Sequence, residues 1–341
     1  MDARRVRIRD VAAHAGVSTA TVSRALNNAP TVDPELAERV RRSADALGYR
    51  PNRVARNLRR RAGSVWALLI SDIENPFFTS VARGVEEAAL EHGYSVVLCN
   101  TNEDPERERR YLDVVLAEQA AGVIIAPATE RTDLGVLQAH RVPVVTIDRR
   151  IGGAALDAVV VDNRSGAQHA TNHLLDNGYE RVACISGPAD VSTAEERRLG
   201  YLAALEDRGH GAVGERYVRQ TDYRVAGGYA AACELLDLSP APDAFFVGNS
   251  LMAAGAMRAL VERGAKIPDQ FGMVCFDDSP WAPLMAPALT TVEQPTYQLG
   301  QTAASLLLDR LAGESDVPQL VTLATTLRIR ESSKGPRPAG G

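Results

Sequence analysis

At 341 residues the chain is longer than one typical domain, so two or three compact units are expected, each able to bury its own core. With 45% apolar and 24% charged residues, its composition excludes a fibrous or largely disordered chain. The net charge of −5 hides an asymmetry, because residues 1–62 hold fourteen Arg and six acids, a net +8 that leaves −13 for the rest. A basic head on an acidic body points to a head that meets a polyanion.

The first residues, MDARRVRIRDVAAHAG, are charged at once and contain no apolar core of signal-peptide length, so a cytoplasmic protein is expected. Ile8, Val11, Ala12 and Ala15 then fall at helical spacing, with Gly16 placed as a C-terminal stop. A second helix follows immediately, capped by Ser18 and burying Val22 and Leu26 one turn apart. Two short helices around a glycine turn describe a helix-turn-helix. Asp33 and Pro34 open a third helix, whose face of Leu36, Val40, Ala44 and Leu47 closes a small all-α core before Gly48.

The outward face of the second helix carries short donors and one fork-shaped cation, which suits a DNA groove. Arg24 can pair with both major-groove acceptors of guanine, and Thr19 or Ala20 can meet a thymine methyl. Ser18, Thr21, Ser23 and Asn27 suit phosphate oxygens, which fix register without reading sequence. The cation-rich segment 49–61 is too short for a stable isolated helix; on its own residues it reads as a linker, with ordering on DNA as the alternative.

From residue 63 onward apolar runs alternate with helical stretches: 66–71, 96–100, 123–126, 144–147, 159–161, 182–186, 245–247 and 273–276 are the expected strands. This is the rhythm of doubly wound α/β units, and the cycle restarts near Arg181, so two similar lobes are expected. Ligands of such sheets bind beyond the carboxyl ends of the strands. Those places hold Asn75, Phe77, Phe78, Asp148, Arg197, Tyr223, Asn249, Asp277 and Gln294. Amides, carboxylates and a guanidinium there suit vicinal hydroxyls, and aromatic faces suit a sugar ring or a flat base. Taken singly, Asp148 and Asp277 also suit plain turn caps, and Phe77 and Phe78 plain core.

The stretch IRDVAAHAGVSTATVSRALNN followed by GYRPNRVARNLR resembles the head and hinge of the LacI/GalR repressors. The resemblance continues through ENPFF (74–78), GP (187–188), RRLGY (197–201), GNSLMAAGAMRAL (248–260), FDD (276–278) and ALTTVEQP (288–295), and so spans nearly the whole chain. It implies a helix-turn-helix domain at 1–50 and a hinge helix at 51–62, with Asn52, Ala55 and Leu58 on DNA and Leu58 as a minor-groove wedge in place of the linker reading. It further implies a periplasmic-binding-protein-like, two-lobed sensor at 63–330, with lobe one at about 63–162 and 291–325 and lobe two at about 163–290. A homodimer on a palindromic operator follows, as does a small sugar- or nucleoside-like effector touching Phe77, Phe78, Asp148, Arg197, Tyr223, Asn249, Asp277 and Gln294. One departure stands out: Ser250 follows Asn249 where the family often has Asp, which removes a carboxylate and weakens assignment of a specific sugar.

Other classes fit poorly. An exported solute-binding protein has no DNA head, and no GxGxxG at the first strand-helix turn, GxxxxGK[ST] or GxSxG is present to support an enzyme. Cys99, Cys184, Cys233 and Cys275 are scattered and read as buried thiols, and His169 and His173 read as a solvated helix face rather than a metal site. No cofactor, metal or membrane partner is expected. Residues 331–341, polar and rich in Pro and Gly, read as a disordered tail without the apolar heptads of a tetramer-forming helix.

Overall fold

A computed structural model describes residues 8–26, 32–47, 64–209, 214–314 and 317–335. The chain divides after residue 63 into two compact units.

Among its described residues the head unit has three helices, α1 (Ile8–Ala15), α2 (Thr19–Leu26) and α3 (Pro34–Ala46). Local chemistry sets each boundary. Gly16, at φ +67°, turns the chain out of α1 in a conformation that penalises a Cβ. The Ser18 hydroxyl accepts from the Thr21 amide at 3.1 Å, and the Asp33 carboxylate accepts from the Glu35 and Leu36 amides at 3.0 and 3.1 Å. Val11, Ala15, Val22, Ala25, Val40 and Ala44 meet in one small core.

Among its described residues the body unit holds two six-stranded sheets. In the first, β1 (Val65–Ile70), β2 (Ser95–Asn100), β3 (Gly122–Ile125), β4 (Val144–Ile147), β5 (Asp157–Val161) and β11 (Leu320–Leu323) run in the order β11-β5-β4-β3-β1-β2, all parallel. In the second, β6 (Val182–Ser186), β7 (Val218–Gln220), β8 (Ala244–Val247), β9 (Gly272–Phe276), β10 (Thr290–Glu293) and β12 (Thr326–Arg328) run in the order β12-β10-β9-β8-β6-β7, with only β12 antiparallel.

Helices cover both faces of each sheet, which is why the central strands read as unbroken apolar runs rather than alternating ones. Trp66, Leu68 and Ile70 of β1 pack against α4 (Pro76–Glu91) and α11 (Thr296–Ala312), while Ala67 and Leu69 face α5 (Pro105–Ala117) and α6 (Gly135–Ala139). In lobe two, α7 (Asn163–Asp176) and α8 (Ser192–Asp207) cover one face, and α9 (Val225–Leu236) and α10 (Ser250–Glu262) the other. Gly84 and Gly300 let α4 and α11 approach closely, since a Cβ on either would strike a carbonyl oxygen of the other helix.

The chain crosses between lobes at 161–163, 293–296 and 323–326. Two boundaries differ from those expected. Residues 291–293 belong to lobe two, because β10 completes the parallel pairing beside β9 before the crossing starts. Residues 326–328 return to that sheet as β12, and 331–333 form a 3-10 turn with Ser332 and Ser333 fully buried. The expected disordered tail therefore does not begin at 331; backbone and hydroxyl partners on β9 and β10 hold that segment, and residues 336–341 lie outside those described.

Candidate functional site

The head and the body each present a surface. On α2, Ser18, Thr19 and Arg24 are exposed and Thr21 is half-buried, so these candidate DNA contacts share the outward side of the helix whose Val22 and Ala25 enter the core. Ala20 and Ser23 lie on the same helix, but their side chains, like Asn27, Asn52, Ala55 and Leu58 altogether, fall outside the described residues.

In the body, all eight side chains expected to meet an effector line one cleft between the lobes. Lobe one supplies Phe77 and Phe78 at the start of α4, stacked edge to face with centroids 4.9 Å apart, and Asp148 after β4. Asn75 caps α4 by accepting from the Phe77 amide at 3.0 Å, which fixes both rings at the cleft wall. From lobe two come Arg197 on α8, Tyr223 after β7, Asn249 at the cap of α10 and Asp277 after β9, with Gln294 on the crossing after β10. Asn249 is held twice, accepting from the Met252 amide at 2.8 Å and donating to the Tyr223 carbonyl at 3.2 Å.

Arg197, 4% exposed, donates to Asn163 Oδ1 (2.8 Å) and the Gly248 carbonyl (2.6 Å), and its guanidinium lies 3.8 Å from the Phe276 ring centroid. Asp277 accepts from Gln294 Nε2 and the Ser250 amide. Both Asp148 and Asp277 adopt positive φ, +63° and +74°, a left-handed conformation costing about 1–2 kcal/mol away from glycine that Asp tolerates better than most. Burial pushes both carboxyls above their ordinary value; Arg149 and Arg197 oppose this for Asp148, and Arg197, Gln294 and the Ser250 amide for Asp277.

Several cleft residues were not among those expected: Asp72, Glu103, Arg149, Pro188, Thr193, Asp222 and Arg224. Arg149 is the most consequential. It is 4% exposed and grips Glu103 with both terminal nitrogens at 2.6 and 2.7 Å, so Glu103 and Asp148 outweigh burial and keep it charged. Its Nε forms an ion pair with Asp148 Oδ2 at 3.3 Å without hydrogen-bond alignment, and among the described residues neither it nor Gln294 Oε1 has a hydrogen-bond partner. In sequence the IDRR run resembles any charged turn; only its place right after an apolar strand hinted at more. Arg224 reaches across the lobes to Asn102 Oδ1 at 2.9 Å.

Two minor expectations are corrected. His173 is half-buried and bonds Ser333 Oγ at 2.8 Å, because the C-terminal turn covers that side of α7; only His169 is exposed. Cys233 is only half-buried on α9, whereas Cys99, Cys184 and Cys275 are buried, and all four are free thiols. No group of three His, Cys, Asp or Glu side chains among the described residues is placed to hold a metal. No helix among them is long and apolar enough to cross a membrane.

Residues 62–330 match the family of periplasmic binding proteins and sugar binding domains of the LacI family, and residues 7–52 match the bacterial regulatory proteins of the lacI family. The chain belongs to the LacI family. This LacI-family regulator is 38% identical over 332 residues to the ribose operon repressor of Halalkalibacterium halodurans, covering 96% of this chain and 97% of the relative. It is 32% identical over 308 residues to the transcriptional repressor CytR of Escherichia coli strain K12, covering 90% of each. These relatives are transcriptional repressors and not enzymes.

Among solved structures, the Lac repressor dimer bound to operator and the anti-inducer ONPF aligns with TM-score 0.86 at 26% identity, over 97% of this chain and 99% of that one. A complex of the transcriptional regulator CelR with cellobiose aligns with TM-score 0.75 at 34% identity, over 96% and 100%. The LacI-family regulator thus joins a helix-turn-helix head to a two-lobed α/β sensor of the sugar-binding type.

Proposed function

We propose that this LacI-family regulator is a cytoplasmic homodimeric repressor that binds a palindromic operator and is controlled by a neutral monosaccharide held between the lobes of its sensor. The observation that carries the reading is the convergence of Phe77, Phe78, Asp148, Arg197, Tyr223, Asn249, Asp277 and Gln294 on one cleft. The cleft is lined by two aromatic rings facing amides, carboxylates and guanidinium groups from both lobes, a lining that suits a sugar ring.

Charge supports the same choice. The lining holds the acids Asp72, Glu103, Asp148, Asp222 and Asp277 against Arg149, Arg197 and Arg224, a balance that suits a polyhydroxylated neutral ligand better than a sugar phosphate. Arg149 Nε and Gln294 Oε1, neither with a hydrogen-bond partner among the described residues, offer one donor and one acceptor for hydroxyls. Relatives named ribose operon repressors favour a pentose.

On DNA, each head reads one half-site, with Arg24 of α2 on a guanine and Leu58 wedged at the operator centre. Effector binding shifts the two lobes relative to each other, which changes the spacing of the dimer's partners and the order of the paired hinges; a coupling of about 1–3 kcal/mol is enough for a switch. The test is selection of bound duplexes from a random DNA pool, repeated with a panel of sugars and nucleosides. A palindrome whose enrichment changes with a single monosaccharide supports the reading; no palindrome, or a response only to nucleosides, overturns it.

A further inference from the structure

The C-terminal segment beyond β12 lines none of the cleft, yet it is tied to Asp278, the neighbour of the cleft carboxylate Asp277. Asp278, the neighbour of Asp277, accepts from Arg330 at both oxygens, each at 2.8 Å, and from Thr291 Oγ1 at 2.9 Å. Both partners of the pair are 19% exposed. Burial alone would raise the Asp278 carboxyl, but the hydrogen bonds from Arg330 and Thr291 outweigh it and hold the group below its ordinary value.

Arg330 is itself anchored. Its guanidinium also donates to the Leu289 carbonyl at 2.7 Å and to Thr291 Oγ1 at 3.0 Å, and its amide donates to Thr290 Oγ1 at 2.8 Å. The following residues clip the segment down: Ser332 Oγ donates to the Met273 carbonyl at 2.6 Å and accepts from the Thr290 amide at 2.8 Å. Ser333 Oγ meets Thr290 Oγ1 at 2.7 Å and His173 Nε2 at 2.8 Å.

A left-handed backbone at a residue with a Cβ persists only when its surroundings over-determine it. On the strand side, the Asp277 amide donates to the Val292 carbonyl at 3.0 Å. The other side is held by Asp278, whose two-pronged pairing with Arg330 fixes the carboxylate plane as well as its position. We propose that Arg330 is a positioning residue for effector recognition: by clamping Asp278 it aims the Asp277 carboxylate into the cleft, which makes the C-terminal segment part of the recognition apparatus. This rests on the reading of the cleft given above.

The experiment compares full-length wild type with Arg330→Gln, Arg330→Lys and Arg328→Gln. Arg328→Gln removes the exposed pair with Glu293 and a through-space charge effect on Asp278 but none of the hydrogen bonds to Asp278, and serves as the control. Hydrogen exchange without sugar reads the Ser250 amide, which donates to Asp277, relative to the β8 amides of Phe245 to Val247. Calorimetric titration with D-ribose reads the cleft.

Arg330→Gln is expected to quicken Ser250 exchange relative to β8 by about tenfold and to weaken D-ribose by a similar factor, with Arg330→Lys in between and Arg328→Gln unchanged. Equal acceleration of Ser250 and β8 marks a merely structural role and overturns the proposal, as does an unchanged Ser250 amide. If Arg330→Gln does not fold, Arg330→Lys carries both measurements, since it keeps the charge and loses the two-pronged geometry. A wild type that ignores D-ribose while Ser250 still responds overturns the pentose reading and supports the positioning role.

Discussion

Asp148 and Asp277 are counterparts in the two lobes: each follows a parallel strand, adopts a positive φ and donates its backbone amide at 3.0 Å to the neighbouring strand, Asp148 to Val159 and Asp277 to Val292. Two similar sheets facing one another thereby bring two buried carboxylates into the same cleft, where each is further raised by burial. The constellation follows from the repeated βα architecture, and each lobe contributes one copy of the same strand-end device.

A pH dependence follows. A carboxyl raised on folding favours the folded protein below its unfolded value, and that advantage is lost as pH rises through the folded one. Through these two carboxyls the ligand-free protein should gain stability as pH falls from neutrality toward about 4, the ordinary Asp value, against the opposite effect of His173, which burial lowers. The Asp148→Asn, Asp277→Asn double variant should lose that gain and keep the His173 effect. Calorimetric melting of both proteins across that range checks it, and parallel profiles would remove the two carboxyls as the source.

Arg197→Ala should abolish the effector response while leaving operator binding intact, because the side chain lies wholly in the body unit. Stability should fall as well, by about 3 kcal/mol, since Asn163 Oδ1 and the Gly248 carbonyl lose their buried charged donor. Arg197→Lys should fail to restore the response, as an ammonium cannot serve both acceptors and lie flat over Phe276. Gel-shift titration with and without sugar, paired with urea unfolding, separates the two effects.

Arg24→Ala should relax selectivity at one base pair in each half-site by about 1–3 kcal/mol and leave preferences elsewhere unchanged. Leu58→Ala should instead weaken specific binding far more than nonspecific binding. Sequenced pools of selected duplexes read the first outcome, and competition with random DNA reads the second. Equal loss on both kinds of DNA would rule out the wedge.

Gly300→Ala should destabilise lobe one by about 1–3 kcal/mol, because its methyl would strike the Val81 carbonyl and force α4 and α11 apart. Since α4 carries Phe77 and Phe78, sugar affinity should drop with it. Urea unfolding at an unchanged denaturant slope measures the first effect, and calorimetric titration the second.

Much of this was legible in the sequence because it depends on near neighbours. Gly16, Ser18, Asp33 and Pro34 act within one turn of the helices they bound, and eight of the twelve described strands announced themselves as apolar runs bounded by polar strand ends. The eight cleft residues were proposed as polar and aromatic side chains that follow the strands, with Arg197 on a following loop or helix, and the family resemblance pointed to the same places. Arg149 and Glu103 were missed because their pairing spans 46 positions, and a buried charged side chain is spelled like a solvated one.

The sequence by itself determined the three head helices, the eight most apolar strands and the chemistry displayed at their ends, since periodicity, caps and glycines act locally, whereas the short or half-exposed strands β7, β10, β11 and β12 were not among those expected. Only the tertiary structure decided which lobe receives β10 and β12, that Ser332 and Ser333 are buried rather than part of a tail, and that Arg330 reaches Asp278 across 52 positions. The reason is physical: a crossing point or an ion pair is chosen by which distant surfaces meet once both sheets have formed, and no short-range pattern encodes that choice.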